Sequence, residues 1–283
     1  MQQVKRITLP LAMATLLAGC STSAPASPPP ADPPAGVSVS LAQWRSDEPM
    51  HTLQVAVRNT TDTPVYVADV QLVTPSFTTL PPHRTDATIK RTERTDLRIP
   101  YGAAACSKQG LPDVQPATVV AHVSTGSGQP RKVVFPVPHP DPLLARLLRD
   151  ECSAFLIKQA VNIEFGPEWK ESGKAMRGDL VITRRGPGAV TLNDMGGTTH
   201  YIVTPERKPL GTLDAATQRL EAPIALTPGR CDGHAFAEAK KAFLFPVRAR
   251  LDGGEERVVI VVPPKPLQDR LIAYALKACG FGD

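Results

Sequence analysis

Between Arg230 and Lys240 the chain sets a thiol, a carboxylate and an imidazole close together: Cys231, Asp232 and His234, with Glu238 and Lys240 following. Those residue types are ligands for a soft divalent metal, and Asp232, His234 and Glu238 could also serve a hydrolase. The corresponding stretch near Cys106 reads Cys106-Ser107-Lys108-Gln109, with neither acid nor imidazole. If Cys231 is oxidised it is no thiolate ligand, and Asp-x-His alone is a weak metal signal. The simpler expectation is that Asp232 and His234 shape a loop beside a disulfide. Trp44 and Trp169, the only two tryptophans, are either ligand platforms or core aromatics, and the core assignment is the simpler. No catalytic constellation emerges elsewhere. Gly126-Ser127-Gly128 lacks the spacing of a nucleophile elbow, and the six histidines show no two at ligand spacing on one element. No cofactor motif is present either, so the expectation is a protein without catalysis or cofactor.

Five cysteines make an odd count, and one stands apart. Lys5 and Arg6 followed by the apolar stretch Ile7 to Leu17 read as an export signal, too short to remain as a span across about 30 Å of hydrocarbon. The stretch ends Leu17-Ala18-Gly19-Cys20, which resembles the lipobox of bacterial lipoproteins. The resemblance implies removal of residues 1–19, a lipid on Cys20 and attachment to the outer face of the cell membrane. Two or three acyl chains make such an anchor stable, whereas one is marginal. Residues 20–36 then carry prolines and alanines with no larger aliphatic side chain, the composition of an extended stalk. Loss of Lys5 and Arg6 lowers the formal charge of +5 by two, to +3, which gives no reason to expect nucleic acid as a partner. The partners expected are the membrane, through Cys20, and an envelope protein or glycan.

The elements that must position these residues repeat. At an offset of 125, Trp44 falls on Trp169, Asp69 on Asp194 and Cys106 on Cys231; Val55, Val57, Val65, Val67 and Ile99 fall on Leu180, Ile182, Val190, Leu192 and Ile224. Cys152 and Cys279 match at 127. Each copy shows six or seven short Val- and Ile-rich runs broken by Pro, Gly, Asn and Asp, the pattern of a β-sandwich. Each also ends in a helical stripe: Leu143, Leu144, Leu147 and Leu148 after Pro142, and Leu267, Leu271, Tyr274 and Ala275 after Pro266. The fold class expected is mainly β: two tandem immunoglobulin-like sandwiches over 37–152 and 153–283, each closed by a helix and an internal disulfide, with almost no linker between them. The repeat favours Cys106–Cys152 and Cys231–Cys279, each closing a loop worth about 4 kcal/mol in chain entropy. The segment from Cys231 to Lys240 is similar to one found in uncharacterised exported proteins of high-GC Gram-positive bacteria, a resemblance that implies no activity. Arg84–Arg98, with five basic and three acidic residues, reads either as a surface for anionic polymers or as a solvated loop and edge strand.

Overall fold

A computed structural model describes residues 29–238 and 241–281. Cys20 therefore lies outside the described residues, as do Lys240 and the side chain of Glu238. The first half holds seven strands: β1 (Val37–Ala42), β2 (Thr52–Asn59), β3 (Val65–Val73), β4 (His83–Ile89), β5 (Thr92–Pro100), β6 (Thr118–Thr125) and β7 (Arg131–Pro136). They form two antiparallel sheets, β1-β2-β5 and β4-β3-β6-β7. Val55, Val57, Leu97 and Ile99 on one sheet meet Val67, Val119, Ala121 and Phe135 on the other in a dry core. Alternating side chains of the two inner faces supply that core, as in an immunoglobulin-like sandwich.

The second half contains β8 (Val161–Ser172), β9 (Ala175–Arg184), β10 (Val190–Met195), β11 (Tyr201–Pro205), β12 (Gly211–Leu213), β13 (Arg219–Pro228), β14 (Phe245–Leu251) and β15 (Glu256–Val261). Its sheets, β11-β13-β9-β8 and β12-β10-β14-β15, reproduce the first pair strand for strand, with β11 added at the free edge of β13. The correspondence extends to irregularities. β3 carries a register shift between Val67 and Asp69, and β10 carries one between Leu192 and Asp194, again 125 residues on. The chain is thus mainly β, with four antiparallel sheets consistent with two sandwich domains.

Helix α1 (Pro142–Ala160) joins the halves. Asp141 caps it by accepting the Leu144 amide at 2.9 Å, and Pro142 at the first turn needs no amide partner. Its N-terminal part puts Leu144, Leu147, Leu148 and Cys152 into the first core, and its C-terminal part puts Ile157 and Ala160 into the second. The boundary expected at 152/153 falls inside this helix, which runs without a loop into β8. One rigid element is therefore shared by both cores. Helix α3 (Lys265–Ala278) closes the second sandwich with Leu267, Leu271, Tyr274 and Ala275. A short helix α2 (Gly233–Glu238) lies between β13 and β14.

Both expected disulfides form, Cys106–Cys152 and Cys231–Cys279, each with its Cα atoms 5.1 Å apart. The first ties the loop between β5 and β6 to the middle of α1, the second ties the loop after β13 to the C-terminal end of α3, and together they suggest an extracytoplasmic protein. The last residues of the expected stalk are laid on the first sandwich. Ala31 forms a parallel bridge with Val133 of β7, and its amide donates to the Lys132 carbonyl at 2.8 Å. Among the described residues no helix is long and apolar enough to cross a membrane.

Candidate functional site

The residues singled out by type do not converge. Cys231 is oxidised, the Asp232 carboxylate pairs with Arg230 at 3.0 Å, and His234 sits exposed on α2. Among the described residues no group of three His, Cys, Asp or Glu side chains is placed to hold a metal. The tryptophans, equivalent in register, are opposite in environment. Trp169 is 3% exposed, packs against Phe165, and donates its indole N–H to the Gly166 carbonyl at 2.9 Å, so it is a core residue and no ligand platform. Trp44 is 49% exposed, which corrects the expectation of a core aromatic. The reason lies across the sheet. A Cβ on Gly178 would stand 2.4 Å from the Trp169 ring, so only glycine leaves room for that indole. The equivalent position in the first sandwich is Leu53, fully buried, so a leucine side chain stands where the second sandwich has none. Trp44 is held outside instead, donating to Asp96 at 3.1 Å with the Arg94 guanidinium 4.9 Å from its ring centre. Buried Asp47 fixes the turn beneath it, accepting from the Trp44 amide at 2.8 Å and from Gln54 at 2.9 Å.

The segment Arg84–Arg98 contains most of β4 and β5 rather than a loop, and its arginines are spoken for. Arg84 pairs with Asp86, Arg91 with Asp62, Arg94 with Asp96 and Arg98 with Asp47. A surface for a polyanion needs cations free to meet phosphate or carboxylate, and these are neutralised locally.

A concave site lies elsewhere, between the two sandwiches. It is a cleft of about 800 Å³, backed by one face of α1. Volumes of this order are typical of small-molecule sites. Arg146, Leu147, Asp150, Glu151, Ala154 and Lys158 line it from the helix, at the three- and four-residue spacing of one helical stripe. Gln43, Glu48, His51 and Tyr101 form the wall of the first sandwich; Thr198, Thr199, Lys241, Leu244, Pro246, Val258 and Ile260 form that of the second. Glu48 and Lys241 pair across the opening.

His51 holds the first wall together. It closes a 3-10 turn (Glu48–Met50) in the left-handed region, φ 53°, a conformation uncommon outside glycine. Its ring stacks on Tyr101 at 3.9 Å between centroids. Nδ1 donates to the Tyr101 carbonyl at 2.9 Å, and Nε2 lies 3.0 Å from Glu151 Oε1. The other oxygen of Glu151 accepts the Ala104 amide at 3.1 Å, two residues from the disulfide. Both ring nitrogens are engaged, so His51 ties the wall of the first sandwich to α1 through Glu151. Burial, with the charge of Glu151, pushes the Tyr101 hydroxyl above its ordinary value and keeps it a donor. On the second wall Thr198 Oγ1 accepts the amides of His200 and Tyr201, each at 3.2 Å. Behind it the His200 Nδ1 and the Tyr201 hydroxyl are buried without hydrogen-bond partners. Burial lowers the pKa of His200 and raises that of Tyr201.

Residue type alone could not find this cleft, because its members come from distant segments; His51 and Glu151 are 100 positions apart. One signal was present. Val258 to Val262 is an unbroken aliphatic run, the mark of a strand with no water-facing side, yet Val258, Ile260 and Val262 are 43–49% exposed.

No protein-family model matches the chain, and no curated protein sequence does. Solved structures similar to it include a protein of unknown function from Porphyromonas gingivalis W83, at 16% identity over 80% of this chain and 98% of that one, with a TM-score of 0.23. Red sea bream transglutaminase is similar at 9% identity over 82% and 32% of the two chains, TM-score 0.24. The CsuC–CsuE chaperone–tip adhesion subunit complex of Acinetobacter baumannii is similar at 11% identity over 76% and 93%, TM-score 0.21. Likenesses at such scores assign neither family nor activity.

Proposed function

We propose that this chain is a lipoprotein of the cell envelope: anchored through Cys20, exposed on the outer face of the membrane, and working as a non-catalytic binding module through the cleft between two duplicated immunoglobulin-like sandwiches. The observation that carries the reading is the cleft itself. It is of ligand size and is lined by apolar and charged side chains together. The disulfides and the Leu-Ala-Gly-Cys ending support the address. The alternative, a metal protein or hydrolase built on Asp232, His234 and Glu238, draws no support from the pairing of Asp232 with Arg230 or the oxidation of Cys231.

Two measurements test it. Mass analysis of the N-terminal peptide from the membrane fraction is expected to show Cys20 as the first residue and acylated, and an unacylated Cys20 there refutes the anchor. Native mass spectrometry of gently purified protein is expected to show a bound small molecule that Ile260→Asp loses. Ile260 is partly exposed, so the variant keeps the fold. Equal retention by the variant refutes the cleft as the site.

A further inference from the structure

We infer that the cleft takes a single-chain amphiphile with one anionic head group, a long-chain carboxylate, with its head at Lys158 and its tail along the face of α1; this rests on the reading of the cleft as a ligand site. Glu48 pairs with Lys241 and Asp150 with Arg146 at 3.6 Å, while Glu151 is held by the Ala104 amide and the His51 ring. Lys158 lines the same cleft and has no carboxylate partner among the described residues. An anionic group placed beside it gains a partner without displacing an existing pair.

The apolar surface fixes the rest of the ligand. Leu147, Ala154, Leu244, Pro246, Val258 and Ile260 are apolar residues of the cleft's lining. Val258 and Ile260 stay 43% and 44% exposed there, a cost that an apolar tail would remove. From Leu147 to Lys158 is eleven residues of helix, about 16 Å at 1.5 Å per residue. That length suits a chain more than a compact ring. The C-terminal end of α1 carries a partial negative charge that opposes an anion, but about half an elementary charge spread over carbonyls is outweighed by the full charge of Lys158 beside the head group. The first sandwich contributes polar groups to the lining through His51 and Tyr101.

The test is calorimetric titration of dodecanoate, below its micellar concentration, into the full chain carrying Cys20→Ser, which dispenses with detergent. Dodecyltrimethylammonium and dodecyl maltoside serve as probes with the same tail and other heads. Saturable one-to-one binding of dodecanoate is expected, at least tenfold weaker in Lys158→Glu and in Ile260→Asp, with unchanged melting temperatures showing that both variants fold. Binding of the cationic or neutral probe as tight as that of dodecanoate, or an unaltered Lys158→Glu, overturns the head-group assignment. If Ile260→Asp still weakens binding in that case, the cleft survives as the site; if it does not, the cleft falls too.

Discussion

Gly178→Ala is the sharpest probe of how the two sandwiches diverged. The added Cβ would lie 2.4 and 2.5 Å from two ring carbons of Trp169 and 2.9 Å from the Glu168 carbonyl oxygen. Carbon atoms pack best at about 3.5–4.0 Å, so the indole must withdraw by about 1 Å. It has little room, because its N–H is bound to Gly166 and its face packs on Phe165. Overpacking of this kind costs about 1–3 kcal/mol. For a chain of this size each kcal/mol lowers the melting temperature by about 2–4 °C, so a fall of roughly 2–12 °C is expected by calorimetry. In a Trp44→Phe background the emission reports Trp169 alone and should shift as its packing changes. Trp169→Ala makes the room that the methyl group needs. In that background Gly178→Ala should cost far less, giving a coupling energy of at least about 0.5 kcal/mol. A melting temperature within a degree of the parent, unchanged emission and additive costs would refute the account of why Trp169 is inside and Trp44 outside.

Replacing Cys106 and Cys152 by serine should lower stability by about 4 kcal/mol from the 46-residue loop alone, seen as an earlier denaturant midpoint; an unchanged midpoint would mean that the bond adds nothing. Ile157→Ala, at a fully buried site, should cost about 2–5 kcal/mol and reduce hydrogen-exchange protection in the sheets of both halves, because α1 belongs to both cores. Loss confined to the second half would show that the helix does not couple them. Burial lowers the pKa of His200, so the unfolded chain binds more protons than the folded one as pH falls through the ordinary histidine range near 6.5. Stability should therefore decline on acidification from pH 7 to 5, and less so in His200→Phe; parallel profiles would refute the assignment. The exposed carboxylates held low by partners, Asp86, Glu93 and Asp214, lose their stabilising contribution only below about pH 4, outside that range.

The architecture was legible because duplication doubles every weak signal. A Val-x-Val run is ambiguous once, yet Val55 and Val57 recurring as Leu180 and Ile182 name the central strand of a sheet twice over. The cysteines were legible for the same reason. The same logic fails at Trp44, since register equivalence does not carry environment when one copy has Leu53 and the other Gly178. In the sequence the first apolar stripe of α1 ends near Cys152, because the helix passes from one core to the other: Leu144 and Leu148 serve one, Ile157 and Ala160 the next. A site assembled where two units diverge has no motif, since its members are brought together by the angle at which one helix joins two sheets. Asp232 and His234 drew attention by residue type, and neither lines that cleft.

The central claim, that the cleft backed by α1 is where this protein binds, is tested most directly by hydrogen–deuterium exchange on the full chain with and without dodecanoate. Protection is predicted over residues 146–158, 197–199, 241–246 and 258–260, with the faces around Trp44 and His234 unchanged. Protection around either of those faces with none along α1 would contradict it.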